Sequence, residues 1–302
     1  MYSISETPSF LEALKQCMHG QEVQTHQNAR LVLFSGLLSV GWHINRREKH
    51  LQFLDTVPTG REQARWRAIL FNAFSSWKNS FEIALSRSKH STATPQAGTD
   101  QPTVLYHLCH ITMHVDLIDL QMLAGSKRLL SRKVSFKDRG GVLQRMRTWA
   151  TTPAARHAVL HSFKLLYHSI AKRMTTDPNL PAYGMAYSCR SDALIYRPWA
   201  LYLSALTIWA HEMTIRTQTP QQHSYEPQSR SAQYTACRYI TSSADLENAA
   251  NIVLMTNHHG CMAVLELLAE EFANAESELL LEASQRLVQC KRMLAESSWE
   301  VD

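Results

Sequence analysis

One apolar stretch, residues 191–216, constrains the fold of this chain more than any other. Its large apolar side chains recur every three or four residues and so cover a wide face of one helix. This pattern predicts the central helix of an all-helical domain. Ser191 or Asp192 could cap its start, and at Pro198 the helix either restarts, with the proline in its first turn, or bends. The apolar positions are Leu194, Ile195, Trp199, Leu203, Leu206, Trp209 and Met213.

The rest of the chain also shows helical spacing, without an alternating strand pattern of any length. The predicted fold class is therefore all-α, a single large multi-helix bundle-like domain with long polar surface loops at about 86–103 and 218–233. The predicted division is an N-terminal helix or extension at 1–24, an all-helical domain at 25–296 and a tail at 297–302. Besides the central helix, helices are predicted at about 9–18, 25–42, 60–85, 104–124, 142–150, 153–173, 244–255, 258–272 and 276–295.

The last predicted helix has a narrow apolar seam of about two heptads, whereas a coiled coil usually needs three or four. Packing inside the domain is therefore favoured over a dimeric coiled coil. The seam consists of Leu280, Ala283, Leu287, Cys290 and Leu294.

Composition narrows the class of protein. The chain has 302 residues, 45% of them hydrophobic, and its 31 basic and 26 acidic residues are spread along the sequence, so a net charge of +5 does not by itself indicate a nucleic-acid surface. Its six cysteines lie far apart without a C-x-x-C pair, which argues against a zinc finger and favours reduced thiols in a cytosolic or nuclear protein. No secretory signal is visible, and no apolar run reaches the roughly 20 residues that cross a bilayer, so no membrane partner is expected.

Three histidines could carry chemistry. His107, His110 and His114 share one helical face and could bind a metal, with Asp116 or Asp119 nearby. The surrounding apolar residues favour a structural or titrating role. A helical metal-dependent enzyme using this face remains a rival hypothesis, and a helical protein-interaction scaffold that dimerises through the C-terminal helices is another.

Other catalytic patterns are incomplete. His211 and Glu212 begin an H-E-x-x-H zinc motif, but Ile215 replaces its second histidine. His258 or His259 could form a nucleophile pair with Cys261, although a helix start with exposed histidines is the simpler interpretation. Neither a G-x-S-x-G elbow nor a phosphate-binding glycine loop is present. We therefore expect no catalytic residues and no cofactor.

Three segments together resemble a known family. Residues 106–125 (YHLCHITMHVDLIDLQMLAG), 149–169 (WATTPAARHAVLHSFKLLYHS) and 196–209 (YRPWALYLSALTIW) resemble, in order and spacing, the fungal-specific transcription factor regulatory domain, also called the middle homology region. Residues 31–42 and 66–77 are similar to its earlier helices. The resemblance covers most of the chain.

The resemblance implies an all-helical regulatory domain, at 25–296, of a nuclear transcription factor that controls RNA polymerase II transcription. Expected partners are the transcription machinery or co-regulators, a small-molecule effector and a second copy in a homodimer. DNA binding, and zinc, are expected only in a separate zinc-finger module that this chain lacks. Apolar walls suit small ligands, so an effector pocket is expected between the histidine-bearing helix and the central helix that carries Trp199. The residues assigned to this pocket or to the domain core are His110, His114, Arg197, Trp199 and Trp209.

Overall fold

The computed structural model describes residues 8–53, 60–89, 101–129, 132–172, 187–216 and 231–296. The predicted all-α class is confirmed, and the described part contains only one very short β-pairing, of Arg128–Leu129 with Arg132–Lys133. The α-helices are α1 Phe10–Met18, α2 Gln27–Phe53, α3 Gly60–Lys89, α4 Gln101–His114, α5 Leu117–Leu123, α6 Phe136–Ala150, α7 Pro153–Leu166, α8 Arg197–Arg216, α9 Ala232–Ala244, α10 His258–Ala273 and α11 Glu278–Glu296.

Two helix starts follow the sequence signals. Thr152 caps α7 by accepting a hydrogen bond from the Ala155 amide, and Pro153 occupies the first turn. In the predicted central helix, now α8, Pro198 also lies in the first turn, so this helix starts there rather than bends. It starts later than predicted, however, since residues 191–196 precede it and Ile195 is 88% exposed instead of lying on the apolar face.

The predicted helix at 104–124 is wrong in one respect, because it is two helices. The Asp116 carboxylate accepts hydrogen bonds from the amides of Ile118 and Asp119, at 2.7 and 3.2 Å, and so caps α5. A side chain that bonds its own backbone in this way competes with a continuous helix. The chain therefore breaks between α4 and α5.

Three further boundaries differ from the prediction. A capping box of Ser135 and Asp138 starts α6 well before residue 142, and Gly140 lies inside the helix. Helix α9 was not predicted, although Ser231 caps it. Residues Ala249–Met255 form a 3₁₀ helix rather than the predicted α-helix. The Asn248 side chain caps the start of this 3₁₀ helix.

The predicted loops and termini fall partly outside the described residues. Helix α3 extends to Lys89 and α4 begins at Gln101, so the ends of the 86–103 segment are helical. Residues 90–100, most of 218–233 and the tail at 297–302 lie outside the described part.

The chain divides into two compact units, residues 1–109 and 110–302. In the first unit α2 packs on α3, and α1 contacts both. Its interior is aromatic, since the Phe34 ring lies 4.3 Å from Trp77 and 5.8 Å from Phe74, and Trp77 lies 5.2 Å from Phe81. The prediction of one domain at 25–296 stays a prediction.

The second unit is built around α8, as its apolar face predicts. Helices α5, α6, α7, α10 and α11 all contact it. Helix α11 packs its predicted seam against α10, with every seam residue buried, and Ser284 Oγ donates a 2.7 Å hydrogen bond to the Ala269 carbonyl of α10. The interpretation of the seam as packing inside the domain is confirmed.

Within the described residues no single helix has the length and apolarity to cross a membrane. Only the two helices at 249–255 and 258–273, which meet at an angle of 96°, have that length and apolarity when they are counted together.

One glycine fixes how closely α9 and α10 approach. A Cβ atom at Gly260, in the first turn of α10, would lie only 2.5 Å from Cγ of the buried Tyr239 ring on α9. No side chain larger than hydrogen fits there without moving a packed aromatic ring.

We therefore expect Gly260→Ala to lower the free energy of unfolding by about 1–3 kcal/mol, through overpacking. Gly140→Ala in α6 is the matched control, because a Cβ there meets nothing within 4 Å. The control should raise stability by about 0.5–1 kcal/mol, because alanine is the better helix former. Urea unfolding of both variants checks this, and equal effects would contradict the close approach.

Candidate functional site

A buried ion pair marks the start of α8. Arg197 Nη1 lies 3.0 Å from Asp192 Oδ1, and the two side chains are only 4% and 2% exposed. The same carboxylate oxygen accepts a 2.9 Å hydrogen bond from the Leu194 amide, so it folds residues 192–197 into a tight corner. Asp192 serves as the partner of Arg197, and not as the cap of the helix.

The segment that precedes the Arg197 and Asp192 pair contains a buried phenol, Tyr187, and a hydrogen bond to α10. Burial, reinforced by the Asp192 carboxylate, raises the pKa of Tyr187 above its ordinary value, so the phenol stays neutral. The Cys189 amide donates a 2.7 Å hydrogen bond to the Glu271 carboxylate of α10. These contacts secure the segment that leads into α8.

Histidines form a stacked cluster between α4 and α7. The His110 ring lies 4.0 Å from His161 at an angle of 4°, and the His114 ring lies 5.3 Å from His157 at 20°. The order of these contacts makes the two helices antiparallel. Parallel stacked rings face one another through their π-surfaces, so their nitrogens do not converge on one point.

The remaining residues of the predicted metal site are held in separate contacts. His107 is buried, and its ring meets the Tyr106 ring at 5.5 Å. Asp116 caps α5, while Asp119 accepts two hydrogen bonds from Arg145 at 2.6 and 2.8 Å. Among the described residues no three His, Cys, Asp or Glu side chains are arranged to hold a metal ion.

Trp149 lies where the sequence placed an effector pocket, between the histidine-bearing helix and α8. Its Nε1 donates a 2.7 Å hydrogen bond to the His114 carbonyl at the end of α4, and its ring meets His211 of α8 edge-on at 6.3 Å. Trp149 was not among the predicted pocket residues. Of those that were, Trp209 is fully buried in the core, and Trp199 is half-buried against Tyr202. The pocket prediction stays a prediction.

Glu212 is a buried carboxylate that the sequence analysis treated only as part of a failed zinc motif. Its Oε1 accepts hydrogen bonds from Tyr239 Oη at 2.9 Å and from the Asn257 amide at 3.0 Å, and His258 Nδ1 lies 3.5 Å from Oε2. Burial raises the pKa of Tyr239 well above its ordinary value, so its hydroxyl is a permanent donor. The burial of Glu212 could have been predicted from the sequence, because Glu212 lies about one helical turn after Trp209, a residue of the predicted apolar face.

The thiols in this unit are not activated. Burial raises the pKa of Cys189 and of Cys237 to about 11, and that of Cys261 well above its ordinary value. Since the thiolate is the nucleophile, these cysteines are poor nucleophiles at neutral pH. The Cys261 and His258 pairing considered from the sequence therefore does not form an activated dyad.

Comparison with known proteins points to a class. Over 196 residues, 60% of this chain, it is 26% identical to the "Nicotinate catabolism cluster-specific transcription factor" of Emericella nidulans. Over 212 residues, 68% of this chain, it is 20% identical to "Zinc finger protein klf1" of Schizosaccharomyces pombe. The chain is similar to fungal transcription factors.

The chain spans only 20% and 25% of the length of these two relatives. No family model matches it, and no solved structure matches it significantly. The similarity to fungal transcription factors therefore rests on these two relatives.

Removing the buried cation at the start of α8 should be costly. We expect Arg197→Ala to lower the free energy of unfolding by about 3–5 kcal/mol, because it leaves the buried Asp192 carboxylate without its cation. Arg190→Ala breaks the exposed pair with Glu276, whose side chains are 59% and 84% exposed, and should change stability by less than about 1 kcal/mol. Similar losses in both variants, measured by urea unfolding, would contradict the role given to the buried pair.

The histidine cluster predicts a pH dependence. Burial lowers the pKa of His110 to about 4, so between pH 6.5 and 4 the unfolded chain binds a proton that the folded chain does not. His110 therefore reduces stability as the pH falls through this window, by up to about 1.4 kcal/mol per pH unit.

His110→Phe keeps an aromatic ring against His161 and removes the titration. We expect its stability, measured by urea unfolding at pH 7 and pH 5, to fall less than that of the wild type. The exposed His259→Phe is the control and should retain the wild-type dependence. An unchanged slope in His110→Phe would show that this ring is not kept neutral by burial.

Proposed function

We propose that this chain is the regulatory middle homology domain of a fungal transcription factor. In this proposal it controls RNA polymerase II transcription in the nucleus, and DNA binding comes from a zinc-finger module outside the chain. The observation that carries the proposal is the similarity to two fungal transcription factors over 196 and 212 residues, the second of which is named as a zinc finger protein.

The packing around α8 supports the proposal. The segments that resemble the middle homology region correspond to α4 and α5, to the end of α6 with α7, and to α8. Helices α5, α6 and α7 all contact α8 in the second unit. Parts of all three segments, which lie far apart in the sequence, thus pack together in the second unit.

The local chemistry favours regulation over catalysis. In the described part of the chain, Arg197 and Glu212 are held by hydrogen bonds and ion pairs in the core, and the histidines stack. Fixed, buried polar groups of this kind specify packing. The metal-dependent enzyme based on His107, His110 and His114 therefore receives no support from the geometry.

In the proposed role the chain acts through other molecules. Its partners would be the transcription machinery or co-regulators, with a small-molecule effector as the signal and a homodimer as a possible assembly. Exposed apolar side chains on α11, Leu279 and Val288, are 62% and 47% exposed and could contribute to such contacts.

A tethering experiment tests the proposal. Fused to a heterologous DNA-binding domain, the chain should change transcription of a reporter at least twofold relative to that DNA-binding domain alone. Gly260→Ala in the same fusion should reduce the effect, because the added Cβ overpacks the contact of α9 with α10 and destabilises the unit. A reporter level equal to that of the DNA-binding domain alone, with the fusion folded and present in the nucleus, would contradict a regulatory role.

A further inference from the structure

Helix α11 carries a second regularly spaced stripe, on the side opposite its buried seam. The positions of this stripe follow one another at intervals of three and four residues, and at ~100° per residue they fall within about 80° of one another. The stripe consists of Glu278, Leu281, Gln285, Val288 and Arg292, and we call it the outer stripe. All five residues are exposed, Leu281 by 37% and Val288 by 47%.

The outer stripe ends in two opposite charges. Glu278 begins α11 and Arg292 lies in its last turns, about 21 Å away at 1.5 Å per residue. Neither forms an ion pair with a residue that the structure describes. The charged side chains between them are already paired, and the pairs are Glu282 with Arg286 at 3.3 Å and Lys291 with Glu266 of α10 at 2.9 Å. The two end charges are therefore available to another molecule.

The order of residues along the outer stripe is complementary to itself when the direction is reversed. Glu278 and Arg292 each lie seven residues from Gln285. An antiparallel pairing of two α11 helices, centred on Gln285, therefore places Glu278 of each copy beside Arg292 of the other. A two-fold axis produces both pairs at once, because every contact across it occurs twice. Leu281 then lies within one residue of the level of Val288 in the other copy.

The charges also decide the direction of the pairing. A parallel pairing would place like charges together at both ends of the stripe, which is unfavourable. Glu296 does not disturb the antiparallel pairing, since the position opposite it precedes α11 in the other copy. Two heptads are too short for an isolated coiled coil, but α11 is already held by α8 and α10. The pairing therefore requires no new helix to form.

We propose that two copies of this chain associate through their outer stripes, with the two α11 helices antiparallel. Leu281 and Val288 of both copies leave water at the centre, and two pairs of Glu278 with Arg292 form at the ends. One helix face from each copy is a small interface, so the dimer is weak and reversible. The inference gives a surface to the homodimer of the proposed function and rests on that proposal for its regulatory meaning, whereas the association itself does not.

Sedimentation equilibrium of the whole chain, from about 10 to about 500 µM, tests the proposal. The wild type should show a monomer–dimer equilibrium with a dissociation constant on the order of 100 µM. Glu278→Arg and Arg292→Glu should each weaken the association at least fivefold, because either change places like charges together at both ends of the dimer. Both changes in one chain restore opposite charges and should restore the wild-type association.

Mixing the two single variants gives the sharper test. One variant then carries cations at both ends of the outer stripe and the other carries anions, so the equimolar mixture should form heterodimers more readily than either variant associates alone. Glu247→Arg is the matched control, because it reverses an exposed charge outside α11 and should leave the association unchanged.

The apolar part of the outer stripe has a control on the same helix. Leu279 is 62% exposed but lies outside the stripe. We expect Val288→Ser to weaken the association at least threefold and Leu279→Ser to leave it unchanged, because only Val288 is removed from water in the dimer.

Three results would overturn the proposal. These are a wild type that stays monomeric up to about 500 µM, single charge variants that associate like the wild type, and a mixture that associates no better than its components. The substituted side chains are exposed, and circular dichroism shows whether each variant is folded. Sedimentation involves no transcription, so a monomeric wild type leaves the tethering experiment to judge the proposed function separately.

Discussion

The second unit depends on keeping a carboxylate inside its core. Glu212 lies on the most buried helix, α8, with 2% exposure, where an ion without partners would be strongly destabilising. It accepts hydrogen bonds from Tyr239 of α9 and from the backbone just before α10. The partial positive charge at a helix N-terminus further favours this anion. One side chain thereby links α8, α9 and α10, and no local sequence pattern predicts that these three helices meet.

The rest of α8 fits this environment. Its hydroxyl side chains bond to their own helix, since Ser204, Thr207 and Thr214 donate to carbonyls one turn earlier at 2.8, 2.8 and 2.6 Å. They need no partner from a neighbouring helix and can be buried among apolar side chains. A helix whose side chains are mostly apolar, and whose hydroxyls bond to its own backbone, can be surrounded by others, and five helices contact it. The buried pair of Arg197 and Asp192 lies at its N-terminal end.

The parts of this fold that local chemistry determines could be predicted from the sequence. Pro198 and the Thr152–Pro153 cap mark helix starts, and the α11 seam is buried as its spacing requires. The break at Asp116 was missed because a side-chain cap competes with an otherwise helical pattern. The partners in the polar clusters were beyond sequence reasoning, because they lie far apart in the chain, as Arg30 and Ser80 or Cys189 and Glu271 do. Such pairings are products of tertiary packing and leave no periodic trace.

We infer that the helices of the second unit are held together through α8, which five of them contact. Native-state hydrogen exchange of the α8 backbone amides is the most direct test of this inference, because exchange reports the free energy of the opening that exposes each amide. We predict that the amides of residues 201–214 exchange only when the whole unit unfolds, with the free energy measured for that unfolding. Exchange through a local opening of much lower free energy would show that the other helices hold together without α8, and would contradict its central place.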